Sequence, residues 1–164
     1  MTPVHLLRPA TLSETRGPAM FFPFGRNGEV FAVTGAAPSM AVFLDGTYAH
    51  EAFPCDAAGN WNGIAIEGVE IEVDLNSIYD INIHGLILGS VIRAADAISI
   101  VARVRSADSF KETRALPIID SLPLATERLQ AGFKYWQAVI RNSGERHVIY
   151  AQGCSEARTT EHSS

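Results

Sequence analysis

Residues 40–66 read MAVFLDGTYAHEAFPCDAAGNWNGIAI, and this stretch decides the fold. Met40, Val42 and Leu44 alternate with Ala41 and Phe43, the period of two that belongs to a strand. Asp45-Gly46 is a turn pair, and Thr47 to Phe53 returns as the second arm of a hairpin. Asp56-Ala57-Ala58-Gly59-Asn60 is a second turn. Asp56 is suited to bonding the backbone amides two residues on, Gly59 and Asn60 tolerate left-handed φ, and Trp61 is large enough to anchor a small sandwich core.

Outward from this stretch the signals stay β. Asn27-Gly28 between Met20–Phe24 and Val30–Val33 predicts a hairpin, with Pro23 pushing its leading strand toward an edge. Ile64 to Leu75 reads as one long strand, with Val69, Ile71 and Val73 on one face and Glu70, Glu72 and Asp74 on the other. Leu86 to Ile92 and Ile98 to Arg105 are rich in β-branched residues, and Ile98, Ile100, Ala102 and Val104 are expected to face the core. Lys134 to Ile140 and Arg146 to Ala151 predict a last hairpin across Asn142-Ser143-Gly144. On this hairpin Trp136 is expected to be buried and Tyr135 half-exposed. One short helix is expected, with Ser121 as cap, Pro123 in its first turn, a body from Leu124 to Ala131, and Gly132 as the stop.

The two ends differ. Residues 1–24 hold four of the eight prolines (Pro3, Pro9, Pro18, Pro23) and show neither apolar period, which predicts an extended arm. Leu6, Leu7, Met20, Phe21, Phe22 and Phe24 make that arm too apolar for solvent, so it is expected to dock on the body or on a neighbouring subunit. Residues 25–151 are expected to form the β domain, and residues 152–164 a polar tail.

At 164 residues with 47% hydrophobic and 19% charged residues, the chain suits one domain with a self-sufficient core. A net charge of −5 argues against a nucleic-acid footprint, which needs Lys and Arg concentrated on one surface. Arg103 and Arg105 share one strand face and read as a solvated pair. The apolar run near Met1 is too short for a secretory segment, and no window approaches a membrane span. Two cysteines, Cys55 and Cys154, are too few for a disulfide scaffold and lack zinc-site spacing; free thiols are expected.

The order from Val33-Thr34-Gly35-Ala36-Ala37-Pro38 through Asp45-Gly46 to Cys55-Asp56-Ala57-Ala58-Gly59-Asn60-Trp61 resembles bacterial immunoglobulin-like modules of adhesins and phage structural proteins. The resemblance covers residues 33–66, about a fifth of the chain. It implies an antiparallel immunoglobulin-like β-sandwich in which Trp61 packs between the sheets. The arm, the helix and the last hairpin are additions to such a module.

Candidate chemistry is sparse. Glu70, Glu72 and Asp74, with Glu67 nearby, are the hard-cation candidates together with Asp56, Asn60 and Asn62, but i, i+2 spacing on a strand separates carboxylates by about 7 Å. The five histidines show no metal-ligand spacing, and no catalytic elbow, phosphate loop or dinucleotide fingerprint is present. Cys55 with His50 as base would need an electropositive setting, whereas Glu51 and Asp56 flank them. Ser90 reads as a packing position. The expectation is therefore a non-enzymatic structural or binding module without catalytic residues, metal or cofactor. Its partners are expected to be protein subunits of an assembly, in a homo-oligomer or with capsid or tail proteins, bound through Leu6, Leu7, Phe21, Phe22 and Tyr135. Such a protein would fold in a host cytoplasm and end in a virion as a head-decoration or tail component. The alternatives are a cytoplasmic protein, a carbohydrate-binding or adhesin-type module, or a small enzyme whose site is assembled by tertiary structure.

Overall fold

The computed structural model describes residues 6–26, 28–35, 39–58, 61–94, 97–105, 111–119 and 130–153. Over these residues the chain is all-β, as expected, with one α-helix of four residues, α1 (Ile81–His84), and short 3-10 turns. The first seven strands are β1 (Arg8–Thr11), β2 (Ala19–Pro23), β3 (Phe31–Val33), β4 (Met40–Phe43), β5 (Glu51–Pro54), β6 (Asn62–Glu67) and β7 (Glu70–Val73). The rest are β8 (Ile78–Tyr79), β9 (Val91–Ala94), β10 (Ala97–Arg105), β11 (Lys111–Ile119), β12 (Ala131–Phe133), β13 (Trp136–Asn142) and β14 (Glu145–Gln152).

They form two sheets in a sandwich-like arrangement. The large sheet runs β1-β6-β2-β3-β4-β5-β10-β9-β12-β8, with β11 on the other edge of β10, and the small sheet is β14-β13-β7. Pairing is antiparallel except between β5 and β10, where Arg103 and Val104 meet Glu51 and Ala52 in parallel. The main core lies between the sheets. Trp136, Ala138 and Ile140 of β13 pack there with Met20, Ala32, Val42 and Ile66, and with Ile98, Ile100 and Ala102 of β10. Trp136 is buried and Tyr135 half-buried, as the alternation along the last hairpin predicts.

The outer face of the large sheet is also apolar, because the odd-numbered partners of those core residues point there. Phe21, Phe31, Val33, Ala41 and Phe43 form a second cluster with Leu12 and Cys55. Further along the sheet, Val101 and Ile92 form a third cluster with Tyr79, under Ile81, Ile87 and Leu88. Strands buried on both faces read as continuous apolar runs rather than alternations.

This explains the first correction. Residues 8–11 and 19–23 of the expected arm are strands β1 and β2 of the large sheet, and β2 lies between β6 and β3, not at an edge. Met20 and Phe21 face opposite cores, so the missing period marked double burial. Pro23 is tolerated as the last residue of β2, and Pro9 in the edge strand β1. A second correction concerns 64–75: the chain turns at Gly68 and passes from the large sheet (β6) to the small one (β7). A third concerns Ala131 and Gly132, which belong to β12 and not to a helix end. The close approach of the Tyr79 ring requires glycine at 132, where a Cβ would meet its Cζ at 2.4 Å. Residues 121–129 of the expected helix, and most of the expected tail, lie outside the described residues.

Candidate binding site

The outer face of the large sheet carries the site. There the second apolar cluster reaches β4 and β5, and β5 pairs with β10. A groove of about 800 Å³ opens there, lined by Phe43, Tyr48, Glu51, Phe53, Trp61 and Arg103, with Arg26 and Lys111 at its margins. A smaller groove of about 390 Å³ continues from it, lined by Pro23, Phe24, Arg26, Trp61 and Asn62. Arg26 and Trp61 line both.

Trp61 does not pack between the sheets. Its ring is half-buried on the outer face, 5.4 Å from Phe31 and 5.6 Å from Phe53 by ring centroids. The Arg26 guanidinium lies 4.4 Å from the Trp61 centroid, a cation–π stack. Glu29 holds that guanidinium by a two-point pair, with Nη2 to Oε1 at 3.0 Å. The hydrogen bond to Glu29 raises the Arg26 pKa further above its ordinary value. The Arg26 plane is thus fixed between an aromatic face and a carboxylate, and it forms the partition between the two grooves.

Tyr48 comes from the loop joining β4 to β5. It is 52% exposed, and its ring leans on Phe43 at 5.7 Å. The loop closes with His50 in a left-handed conformation (φ 71°), its N–H donating to the Phe43 carbonyl at 2.7 Å. The His50 carbonyl accepts from Arg103 N–H at 2.7 Å, so one residue ties the loop, β4 and β10 together. Burial holds the His50 imidazole below its ordinary value; Asp45 opposes this and Arg103 adds to it. In the larger groove Lys111 is ion-paired with Glu51, whereas Arg103 is exposed and has no carboxylate partner among the described residues.

Phe24 is 60% exposed. Phe24 and Tyr48 are the exposed aromatic side chains among the described residues, and each lines one of the two grooves.

The expected partner-binding residues are placed elsewhere and apart. Phe21 is fully buried against Phe31, with centroids 6.2 Å apart. Phe22, Leu6 and Leu7 are half-buried against the main core. Tyr135 lies over Gly153, where a Cβ would meet its ring at 1.7 Å. None of the five lines either groove. The strand carboxylates are engaged as ion pairs: Glu70 with Arg141 at 2.9 Å, and Glu72 with Arg141 and Arg146. Among the described residues no group of three or more His, Cys, Asp or Glu is placed to hold a metal ion. Cys55 is a buried free thiol pushed up to about 11 by burial, with Asp56 adding to the shift. Cys154 lies outside the described residues. Ser90 is buried and polar in function: its hydroxyl is bonded to the Ile87 carbonyl at 2.6 Å and to the Tyr79 hydroxyl at 2.6 Å. Among the described residues no helix is long and apolar enough to cross a membrane.

Sequence reasoning missed Arg26, Tyr48, Phe53 and Lys111, and set Arg103 aside as a solvated residue. They come from separate strands and loops with no shared spacing. The available signal was Tyr48, an aromatic residue in a loop that a tight Asp-Gly turn leaves unexplained.

Comparison with known proteins identifies a family. A family model described as "Uncharacterised protein y4lG" matches residues 9–158. A protein of that description from Sinorhizobium fredii (strain NBRC 101917 / NGR234) is 36% identical over 110 residues, covering 67% of this chain and 66% of that protein. The match thus spans just under two thirds of the relative's length. No solved structure matches. Neither the family nor the relative carries an immunoglobulin-like or adhesin description. With the model covering β1 through β14, the chain belongs to the y4lG family.

Proposed function

We propose that this protein is a non-enzymatic binding module for an oligosaccharide, held along the paired grooves of the outer sheet face. The observation that carries the reading is the placement of Phe24 and Tyr48, exposed aromatic rings at either end of one track with the Arg26–Trp61 stack between them. Leaving aromatic surface in water sacrifices roughly 1.5–3 kcal/mol of burial per side chain, and rings in a wet groove are suited to the apolar faces of sugars. The larger groove falls in the range of about 300–1,000 Å³ usual for ligand sites, and the smaller one extends it for a chain of rings. Binding without hydrolysis is favoured by the carboxylates: glycoside cleavage uses two across the scissile bond, and among the described residues Glu51 is the single carboxylate lining the grooves.

The test is a glycan array followed by calorimetry on the hits. Both Tyr48→Ala and Phe24→Ala should weaken binding at least tenfold with an unchanged circular dichroism spectrum. Absence of any glycan signal, or binding indifferent to both substitutions, would reject the reading.

A second reading, a subunit of an assembly, now rests on another surface. Leu75, Ile78 and Ile83 are exposed on the segment that contains the edge strand β8. If it holds, the wild-type protein is oligomeric by light scattering, and Ile78→Lys with Ile83→Lys makes it monomeric.

A further inference from the structure

We infer that the ligand of the groove is an acidic glycan, a chain bearing sugar carboxylates, with Arg103 as the residue that receives one carboxylate. The inference rests on the proposed glycan reading and names its chemical class. Among the described residues the larger groove is lined by Arg26, Arg103 and Lys111; Glu29 and Glu51 pair with the first and last, which leaves the Arg103 charge uncompensated on a protein whose net charge is −5. A local cationic surface on an acidic protein is a field that selects an anion.

The three cations are not equivalent. Arg26 is committed to Glu29 and to the Trp61 ring, and Lys111 to Glu51. Arg103 faces the groove from the middle of the sheet without a carboxylate partner among the described residues, and its backbone is fixed by the 2.7 Å bond to the His50 carbonyl. A guanidinium presents a planar fork that matches a carboxylate at two points. Glu51 separates this ligand from a phosphate chain. As an acceptor it serves sugar hydroxyls, donors that a phosphate chain lacks. Tyr48, on the same groove, supplies the stacking surface for the ring that carries the acid. Binding is therefore divided: Tyr48 contributes to any sugar, and Arg103 discriminates acidic from neutral ones.

The experiment is isothermal titration of the full chain with oligogalacturonate, its neutral methyl ester and dextran sulfate, for wild type, Arg103→Gln and Tyr48→Ala. Losing a charged hydrogen-bond pair typically weakens binding about ten- to a hundredfold. The expected result is that Arg103→Gln removes that much affinity for oligogalacturonate and leaves the ester unchanged, while Tyr48→Ala weakens both. If the ester binds wild type as tightly as the acid, the acidic-glycan inference fails and the glycan reading stands. Absence of binding to either sugar, with no other glycan bound, overturns both. Dextran sulfate binding as tightly as oligogalacturonate, with equal loss in Arg103→Gln, overturns the inference in favour of a general anion patch. Because Arg103 is exposed, its substitution is compatible with folding, and retained near-ultraviolet dichroism serves as the check.

Discussion

The indole N–H of Trp136, on the small sheet, donates to the carbonyl of Gly89, just ahead of β9 in the large sheet, at 2.8 Å. Both ends of this bond are away from water, and the Trp136 side chain is 1% exposed. It is a polar link between two sheets joined mainly by apolar packing, with a longer one from the Tyr150 hydroxyl to the Leu44 carbonyl at 3.5 Å. Trp136→Phe keeps much of the volume, leaves the Gly89 carbonyl without that donor and opens a small void. A loss of about 2 kcal/mol is expected. Urea unfolding measures it, and a midpoint equal to wild type would remove the bond from the account of stability.

Deleting residues 1–24 should unfold the protein. The deletion removes β1 and β2, strips both neighbours from β6, and takes Leu12, Met20 and Phe21 out of two cores. Each such side chain contributes roughly 1.5–3 kcal/mol by burial, against a total stability of about 5–15 kcal/mol. The truncated chain should show a collapsed proton NMR dispersion. A well-dispersed spectrum would restore the arm as a separate element.

His50 should make stability fall in mild acid. Its Nδ1 is buried without a hydrogen-bond partner, its ring packs on Gly89, and burial lowers its pKa in the folded state. Below the unfolded value of about 6.5 the unfolded chain therefore binds more protons than the folded one. This contribution is complete above pH 6.5 and declines as pH drops through the window down to the lowered folded value. Asp45 and Arg103 act on the same ring in opposite directions. Thermal melts between pH 7.5 and 5 should show a steeper decline for wild type than for His50→Asn, a residue that tolerates positive φ. Parallel curves would show that His50 binds its proton equally well in the folded and unfolded chains, against the lowered folded value.

Cys55 should resist alkylation. With its thiol near 11, about one molecule in a thousand carries the thiolate at pH 8, and the group is buried as well. In a Cys154→Ser chain, iodoacetamide should label slowly in buffer and rapidly in urea. Fast labelling of the folded protein would contradict the packing of Cys55 with Leu12 and Phe31 in the second cluster.

Hairpins were legible wherever turn chemistry is local. Asp45-Gly46 predicted β4 and β5, although the loop runs on to His50, and Asn142-Ser143-Gly144 predicted β13 and β14. The break at Gly68 was also written in the residues. The apolar phase slips from Ile64 and Ile66 to Val69, Ile71 and Val73 across it, which a single strand cannot accommodate on one face. β11 was not legible because Lys111 to Arg114 are polar and exposed, and Pro117, opposite Ser99, coincides with a shift in register. The grooves were beyond reach for another reason. Trp61 reads equally well as an anchor between sheets or as the wall of a cleft, and only the second apolar layer on the outer face decides between them.

The position of β6 has a consequence for the order in which the molecule can be made. Every partner of residues 8–11 lies at 62–65, and β6 enters between β1 and β2, which both precede it in the chain. As the chain emerges during synthesis, the β2–β3–β4 hairpins can close locally while β1 has no neighbour. Only the arrival of residues 62–67 seats β1 and brings the adjacent Trp61 under Arg26. The Arg26–Trp61 stack therefore cannot form before β6 arrives, the larger groove waits further for Arg103 and Lys111, and an interruption before β6 leaves β1 with no partner strand.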